Sequence, residues 1–131
     1  MFSQIPSHLP ELPIYQKAID ISHLSHSISI YLRGDLSHLD SDGKENKNIY
    51  FSGDIVQQSV SLAPEIIRAE LETYSHKKHK HLSTLKTLTN RLYKNCSRLE
   101  KSSSNGKDYI LVLRKELKSF KKLQRSWALT L

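Results

Sequence analysis

No glycine or proline occurs between Glu65 and Asn105, and the 131-residue chain contains only four of each residue. Because glycine and proline most often end helices and form tight turns, most of this chain is free to form long helices. A β-sandwich or a glycine-rich nucleotide-binding fold needs more turns than this sequence supplies. We therefore expect an all-α domain, and the chain length is typical of a single one.

The single cysteine and the hydropathy pattern indicate the cellular compartment of the protein. Cys96 has no cysteine partner in the chain, which is typical of a protein from a reducing environment. No apolar run approaches the roughly 18 residues of a membrane-spanning helix, and the N-terminal MFSQIPSHLP lacks the layout of a signal peptide. We expect a soluble, cytoplasmic protein.

The spacing of apolar residues predicts two helices in the first half of the chain. The first runs from Glu11 to a point before Gly34, and its apolar face comprises Ile14, Ala18, Ile21, Ile28 and Leu32. The second begins near Ser52 or Asp54 as N-cap, with a kink expected at Pro64. Its main apolar ridge is predicted to be Val56, Val60, Ala63 and Ile67, widened by Ile55, Leu62 and Ile66.

The second half predicts two more helices. A turn near Thr73–His76, with Ser75 as a possible cap, precedes a third helix with an apolar seam of Leu82, Leu85, Leu88, Leu92, Cys96 and Leu99. The turn SSSNGK leads to a fourth helix that starts at an Asp108 cap. Its apolar positions are Ile110, Leu113, Leu117, Phe120, Trp127 and Leu131. We predict an up-down four-helix bundle over residues 11–131, with an irregular arm at 1–10 and a long loop at 33–53.

Positive charge is concentrated in the second half of the chain. Residues 1–75 contain five Lys and Arg against ten Asp and Glu, whereas residues 76–131 contain fifteen against three. The net charge of +7 thus combines a half at −5 with a half at +12. Such asymmetry favours an anionic partner for the second half, although a solvated basic surface is the alternative.

The cations of the third and fourth predicted helices fall on one face of each helix. At about 100° per residue, those of the fourth helix occupy an arc of roughly 120° opposite its apolar ridge. We name the two sets the first and second basic stripes. The first comprises Lys77, Lys80, Arg91, Lys94, Arg98 and Lys101, and the second comprises Arg114, Lys115, Lys118, Lys121, Lys122 and Arg125.

Two parallel basic stripes with few acids between them are typical of a surface that binds nucleic acid, because like charges weaken an isolated helix. We expect contacts to phosphates, giving strong salt dependence without base readout. Aromatic residues for base stacking are few: Phe120 and Trp127 are assigned to the core, and Tyr93 is placed at the rim of the bundle.

No catalytic or cofactor site is predicted. His76, His79 and His81 do not share one helix face and lack an accompanying carboxylate or thiol, so a basic patch is favoured over a metal site. Asp35, Asp40, Asp42 and Glu45 lack the spacing of a calcium-binding EF-hand loop, and Cys96 fits a small core residue. An enzyme is therefore not expected.

Three short motifs resemble a known family. They are YQKAIDI at 15–21, SVSLAPEII at 59–67 and HLSTLKTLTNRL at 81–92. Their pattern is similar to that of the four-helix-bundle proteins encoded in intervening sequences of bacterial 23S rRNA genes. A close relative of that family is the accessory variability determinant (Avd) of diversity-generating retroelements. The resemblance covers residues 12–131 except the 33–53 loop.

The chain departs from the family pattern in three places. Its turn RAELETYSHKK lacks the usual glycine, the proline of the second helix is displaced by one position, and the third helix is basic where the ribosomal branch is acidic. The last departure favours the Avd branch. The resemblance then implies a barrel-shaped homopentamer that binds RNA, or possibly DNA, and a retroelement reverse transcriptase during mutagenic copying of a template RNA. The basic positions carried over are Arg91, Lys94, Arg98, Arg114, Lys118 and Arg125.

Two other functions stay open at this point. The chain is alternatively a structural protein of the intervening-sequence type, or a four-helix scaffold that binds an acidic protein. Apolar residues away from the main ridges are candidates for a subunit interface, namely Ile30, Tyr31 and Leu111.

Overall fold

The structure, a computed structural model, describes residues 8–36, 48–100 and 107–131, and the side chains within 8–31, 54–100 and 108–131. This part of the chain is all-helical, as the sequence predicts. A short 3-10 helix at Leu9–Glu11 precedes five α-helices. These are α1 (Pro13–Leu36), α2 (Asn48–Val60), α3 (Leu62–Leu71), α4 (Ser75–Glu100) and α5 (Lys107–Ala128).

The helices pack as four segments around one core, because α2 and α3 are separated only by Ser61. α1 packs against α2 and α5, while α4 packs against α2, α3 and α5. The core is made of fully or almost fully buried apolar side chains from every helix, and each buried leucine or isoleucine contributes about 1.5–3 kcal/mol. Its largest members are Leu9, Ile14, Ile21, Ile55, Leu62, Ile66, Leu85, Leu92, Leu99, Ile110 and Phe120.

The first helix and the following loop differ from the prediction. α1 continues through Gly34 to Leu36, and α2 begins at Asn48, before Ser52 and Asp54, so neither of those residues caps it. The predicted loop at 33–53 is therefore helical at both ends, and its centre, with Asp40, Asp42 and Glu45, lies outside the described residues. A single glycine costs a helix only about 1 kcal/mol, so Gly34 alone does not end α1.

Pro64 interrupts the second helical segment, as predicted, one turn before its own position. Proline cannot donate to the carbonyl of residue 60, and its ring crowds that carbonyl. The helix accordingly breaks at Ser61, whose backbone N–H bonds to Gln58 O at 3.3 Å. The Ser61 hydroxyl donates to Gln57 O at 2.8 Å and so satisfies a carbonyl at the break.

The predicted main ridge of this segment is wrong. Val60 is 46% exposed, and the buried apolar residues are Ile55, Leu62, Ile66 and Ala69. The sequence argument treated residues 56–67 as one regular helix. The buried positions keep a spacing of three and four residues across Ser61, from Ile55 through Leu62 to Ala69, so the residues assigned to the flank form the core face, about 100° around the helix from the predicted ridge.

The remaining boundaries agree with the prediction to within a few residues. The turn between the second and third predicted helices lies at 72–74, and Ser75 is the first residue of α4 rather than a cap before it. Asp108 lies in the first turn of α5, which begins at Lys107. Most of SSSNGK and residues 1–7 lie outside the described residues, but Leu9, assigned to an irregular arm, is buried in a 3-10 turn.

Polar contacts tie the segments together at several levels. The hydroxyls of Ser25 and Ser59 lie 2.5 Å apart in the core between α1 and α2. Trp127 Nε1 donates to Glu70 Oε2 at 2.6 Å, which joins the end of α5 to α3. Among the described residues, no helix has both the length and the apolar composition needed to cross a bilayer.

Candidate nucleic-acid interface

α4 holds the first basic stripe away from the core. Leu85, Leu92, Cys96 and Leu99 are fully buried, and Leu82 and Leu88 pack partly buried against the core. The cations that follow the opposite arc of the helix point to solvent, because burying an unpaired ammonium or guanidinium would be costly. Exposed members of this stripe are Lys77, Lys80, Arg91, Lys94 and Arg98, while Lys101 lies outside the described residues.

α5 presents most of the second basic stripe in the same way. Its core face comprises Ile110, Leu113, Leu117, Phe120 and Trp127, as predicted. Arg114 and Lys121 are only half-buried, and they face α4 rather than open solvent. The exposed members of this stripe are Lys115, Lys118, Lys122 and Arg125.

Arg114 and Lys121 contact side chains of α4, which distinguishes them from the four exposed cations of the second stripe. Arg114 forms an ion pair with Glu100, and its guanidinium carbon lies 5.5 Å from the centre of the Tyr93 ring. Lys121 Nζ lies 4.3 Å from the same ring centre. Both distances fit cation–π contacts. Because two cations cover Tyr93, its ring is not available to stack on a base.

The carboxylates of α4 and α5 do little to neutralise the exposed cations. These two helices contain only Glu100, Asp108 and Glu116. Glu100 pairs with Arg114, and Glu116 Oε2 lies 2.9 Å from Lys17 Nζ of α1. Asp108 is exposed at the start of α5. The nine exposed cations of the two stripes therefore form a surface of concentrated positive charge.

A groove of about 520 Å³ lies between α4 and α5. It is lined by four basic residues, His79, Lys86, Lys121 and Arg125, and none of its lining residues is acidic. At about 100° per residue, the groove residues of α4 lie between the apolar seam of that helix and the first basic stripe. The groove residues of α5 include Lys121 and Arg125, which belong to the second stripe. The groove thus separates the two basic stripes.

Sequence analysis missed the groove and its member Lys86. The signal was present in the spacing of His79, Ser83, Lys86 and Asn90, which recur at three and four residues and so follow one flank of α4. Residues on one flank of a helix predict a groove only when the neighbouring helix, and the face it turns toward them, are known. Lys86 has no ion pair with a carboxylate among the described side chains.

The three histidines considered as metal ligands are in different places. His76 lies beside the Tyr74 ring with ring centres 6.1 Å apart, and His79 lines the groove. His81 Nδ1 donates to Glu65 Oε2 at 3.0 Å, and Arg68 donates to Glu65 Oε1 at 2.7 Å. Among the described residues, no three His, Cys, Asp or Glu side chains form a cluster suited to a metal.

Cys96 lies fully buried on the α4 seam, where the sequence places it. The pKa of its thiol is raised from 9.0 to about 12, chiefly by burial and also by the Glu100 carboxylate, while Arg114 opposes the shift. A thiol held in its neutral form is a poor nucleophile.

The arrangement as a whole suits binding of phosphates by a rigid, exposed basic surface. No known protein-family model, curated protein or solved structure matches this chain.

Proposed function

We propose that this protein binds single-stranded RNA through the exposed cations of the two basic stripes. The observation that carries the proposal is that the two stripes on α4 and α5 display nine exposed cations, while Glu100 and Glu116 are engaged in ion pairs with Arg114 and Lys17. A surface of this kind attracts phosphates and releases the counterions condensed on them. Among the described residues, the exposed aromatic ring that contacts a stripe cation is that of Tyr74, 5.2 Å from Lys77 Nζ at one end of the first stripe. With a single ring at one end, binding is expected to depend little on sequence.

The resemblance of the three motifs extends this proposal to a biological role. In that role the protein is a non-catalytic, cytoplasmic accessory factor of an Avd-like retroelement system. It binds template RNA and the reverse transcriptase, and supports mutagenic copying of that RNA. The basic, rather than acidic, α4 supports this branch over the structural intervening-sequence type.

We further propose an up-down bundle that assembles into a homopentamer. Contacts between α4 and α5 support the up-down order, since Thr89 lies near Gln124 whereas Glu100 pairs with Arg114. An exposed apolar patch on α1 and α5 supports assembly, with the Tyr31 and Tyr109 rings 5.2 Å apart. Val112, one turn after Tyr109 on α5, is also exposed, and neither residue was predicted. The predicted candidates Ile30, Tyr31 and Leu111 are exposed as well, but Leu111 lies on the arc of the second basic stripe. A mass of one 15.1 kDa chain by sedimentation at micromolar concentration would contradict the pentamer.

The RNA-binding proposal is tested by two variants that have the same net charge but differ in where the charge is changed. In the first variant, Arg91, Lys94, Lys115 and Lys118 are each replaced by Gln. In the matched control, four exposed residues of α1 and α2 outside the stripes are each replaced by Glu, namely His23, His26, Ser27 and Gln57. Each variant lowers the net charge of the chain by four, the first by removing cations from the stripes and the second by adding carboxylates elsewhere.

We expect the stripe variant to lose most of its affinity for a fluorescent single-stranded RNA, and the control to stay close to wild type. The salt slope should become shallower by up to about 3, at about 0.7 per phosphate contact. Equal losses in both variants would show that only net charge matters. Unchanged affinity in the stripe variant would overturn the proposal, and saturable binding of an acidic protein instead would favour the scaffold alternative.

A further inference from the structure

The groove between α4 and α5 differs from the stripes on either side because it is concave. Its volume of about 520 Å³ lies within the range of pockets that hold small molecules. A phosphate group alone would occupy only a small part of that space. The groove therefore has room for a larger ligand than the phosphate that the surrounding cations attract.

Cations line the groove from both helices. Lys86 extends from α4, and Lys121 and Arg125 extend from α5 one helical turn apart. Lys121 is oriented by its contact with the Tyr93 ring, at 4.3 Å from the ring centre. A cation fixed by a neighbouring ring loses less side-chain entropy when it binds an anion. The groove thus offers a partly preorganised site for a phosphate.

The same groove also offers groups that a nucleoside requires. Leu82 and Ala128 supply apolar surface, and Asn90 and Gln124 supply amides for hydrogen bonds to base or ribose. The buried Thr89 hydroxyl lies 3.4 Å from Gln124 Oε1 and places that amide at the groove wall. Thr89 is itself fixed by donating to Leu85 O at 2.7 Å.

We propose that the groove binds one nucleotide, with its phosphate between Lys86, Lys121 and Arg125 and its nucleoside against Leu82 and the two amides. The nucleotide is either free or one unit of an RNA strand that crosses the stripes. The strand form of this inference rests on the proposed function, whereas binding of a free nucleotide does not depend on it.

The test follows the side-chain amide signals of Asn90 and Gln124 by NMR while adenosine 5′-monophosphate is titrated. Ser83→Trp places a large ring in the groove without changing charge, because Ser83 is an exposed lining residue. Ser27→Trp makes the same change on the exposed side of α1 and serves as the matched control. Lys86→Gln and Lys115→Gln form a second pair, which removes one charge inside or outside the groove.

We expect both amide signals to shift on titration of wild type and Ser27→Trp, and affinity to fall by about tenfold or more in Ser83→Trp. Lys86→Gln should weaken nucleotide binding more than Lys115→Gln does. No shift in wild type, or equal shifts in Ser83→Trp, would overturn the inference. Inorganic phosphate that binds as tightly as the nucleotide would also overturn it, because the nucleoside would then contribute nothing.

A single-stranded RNA added to the nucleotide complex identifies the source of the ligand. Displacement of the nucleotide by RNA would place a unit of the strand in the groove, and simultaneous binding would assign the groove to a free nucleotide. If wild type bound the nucleotide but no RNA, the proposed function would be contradicted, and the proposal that the groove binds a nucleotide would be supported. If RNA bound and the nucleotide did not, the groove inference would fail alone.

Discussion

Arg114 of α5 donates a hydrogen bond to Glu100 at the end of α4, although its position in the sequence places it within a basic stripe. The two side chains are 30% and 16% exposed, so water screens the pair only partly. The guanidinium also covers the Tyr93 ring. Arg114 therefore joins α4 to α5.

Replacement of Arg114 by Ala should lower stability more than it lowers RNA affinity. Loss of the guanidinium leaves Glu100 partly buried without its partner, at a cost of about 1–2 kcal/mol. The neighbouring Lys115→Ala should change the free energy of unfolding by less than about 0.5 kcal/mol, since Lys115 is exposed. Urea denaturation followed by circular dichroism measures both. Equal stabilities for the two variants would contradict the structural role of Arg114.

The buried face of α3 is tested by comparing Ile66→Ala with Val60→Ala. Ile66 is fully buried and Val60 is 46% exposed. The first substitution should lower the free energy of unfolding by about 2–5 kcal/mol through lost burial and a residual cavity. The second should cost well under about 1 kcal/mol. A larger loss of unfolding free energy in Val60→Ala than in Ile66→Ala would support the apolar ridge predicted from the sequence and contradict the buried face of α3.

The hydrogen bond between Trp127 and Glu70 should contribute measurably to stability. Trp127→Phe keeps an aromatic ring but leaves Glu70 Oε2 without the indole donor that lies 2.6 Å away. A hydrogen bond to a charged group contributes about 1.5–3 kcal/mol, and the smaller ring adds a packing loss. Thermal unfolding should show a lower midpoint than in Tyr109→Phe, in which the substituted ring is 50% exposed. Equal midpoints would show that the bond contributes nothing.

Cys96 should resist thiol reagents in the folded protein near neutral pH and react when the protein unfolds. Its folded pKa of about 12 exceeds the ordinary value of 9.0, so the folded state binds the thiol proton more tightly than the unfolded state. The resulting stability is complete below about pH 9 and is lost as the pH rises toward about 12. Relative to Cys96→Ala, wild type should lose about 2 kcal/mol between about pH 8 and pH 10.5. A constant difference across that range would contradict the shift.

Hydrophobic periodicity predicts most of the helices of this fold because its signal is local. The seams of α4 and α5 are regular over many turns, and their buried members Leu92 and Phe120 could be named from spacing alone. The same rule failed in the second segment because two neighbouring apolar ridges there fit one helix period, and only packing selects the ridge that contains Ile55 and Ile66. The end of α1 was also misplaced, because one glycine costs a helix only about 1 kcal/mol and so does not fix where the helix ends.

The candidate site was predictable only in part. Exposure of the stripe cations follows from their position opposite an apolar seam, and nine of the twelve predicted residues are exposed. Contacts across helices were not predictable, because they depend on rotation and register. Three such contacts join α4 to α5: the two cations over the Tyr93 ring, the ion pair between Arg114 and Glu100, and the groove lined by Lys86.

The affinity for a fluorescent single-stranded RNA at several salt concentrations tests the central claim most directly. We expect log affinity to fall with log salt at a slope of about −3 or steeper, at about −0.7 for each phosphate neutralised, with little preference for sequence. Such a slope would correspond to a strand that contacts several stripe cations at once. Weak binding at low salt, with a slope near zero, would contradict the claim and leave the basic half of the chain as a solvated surface.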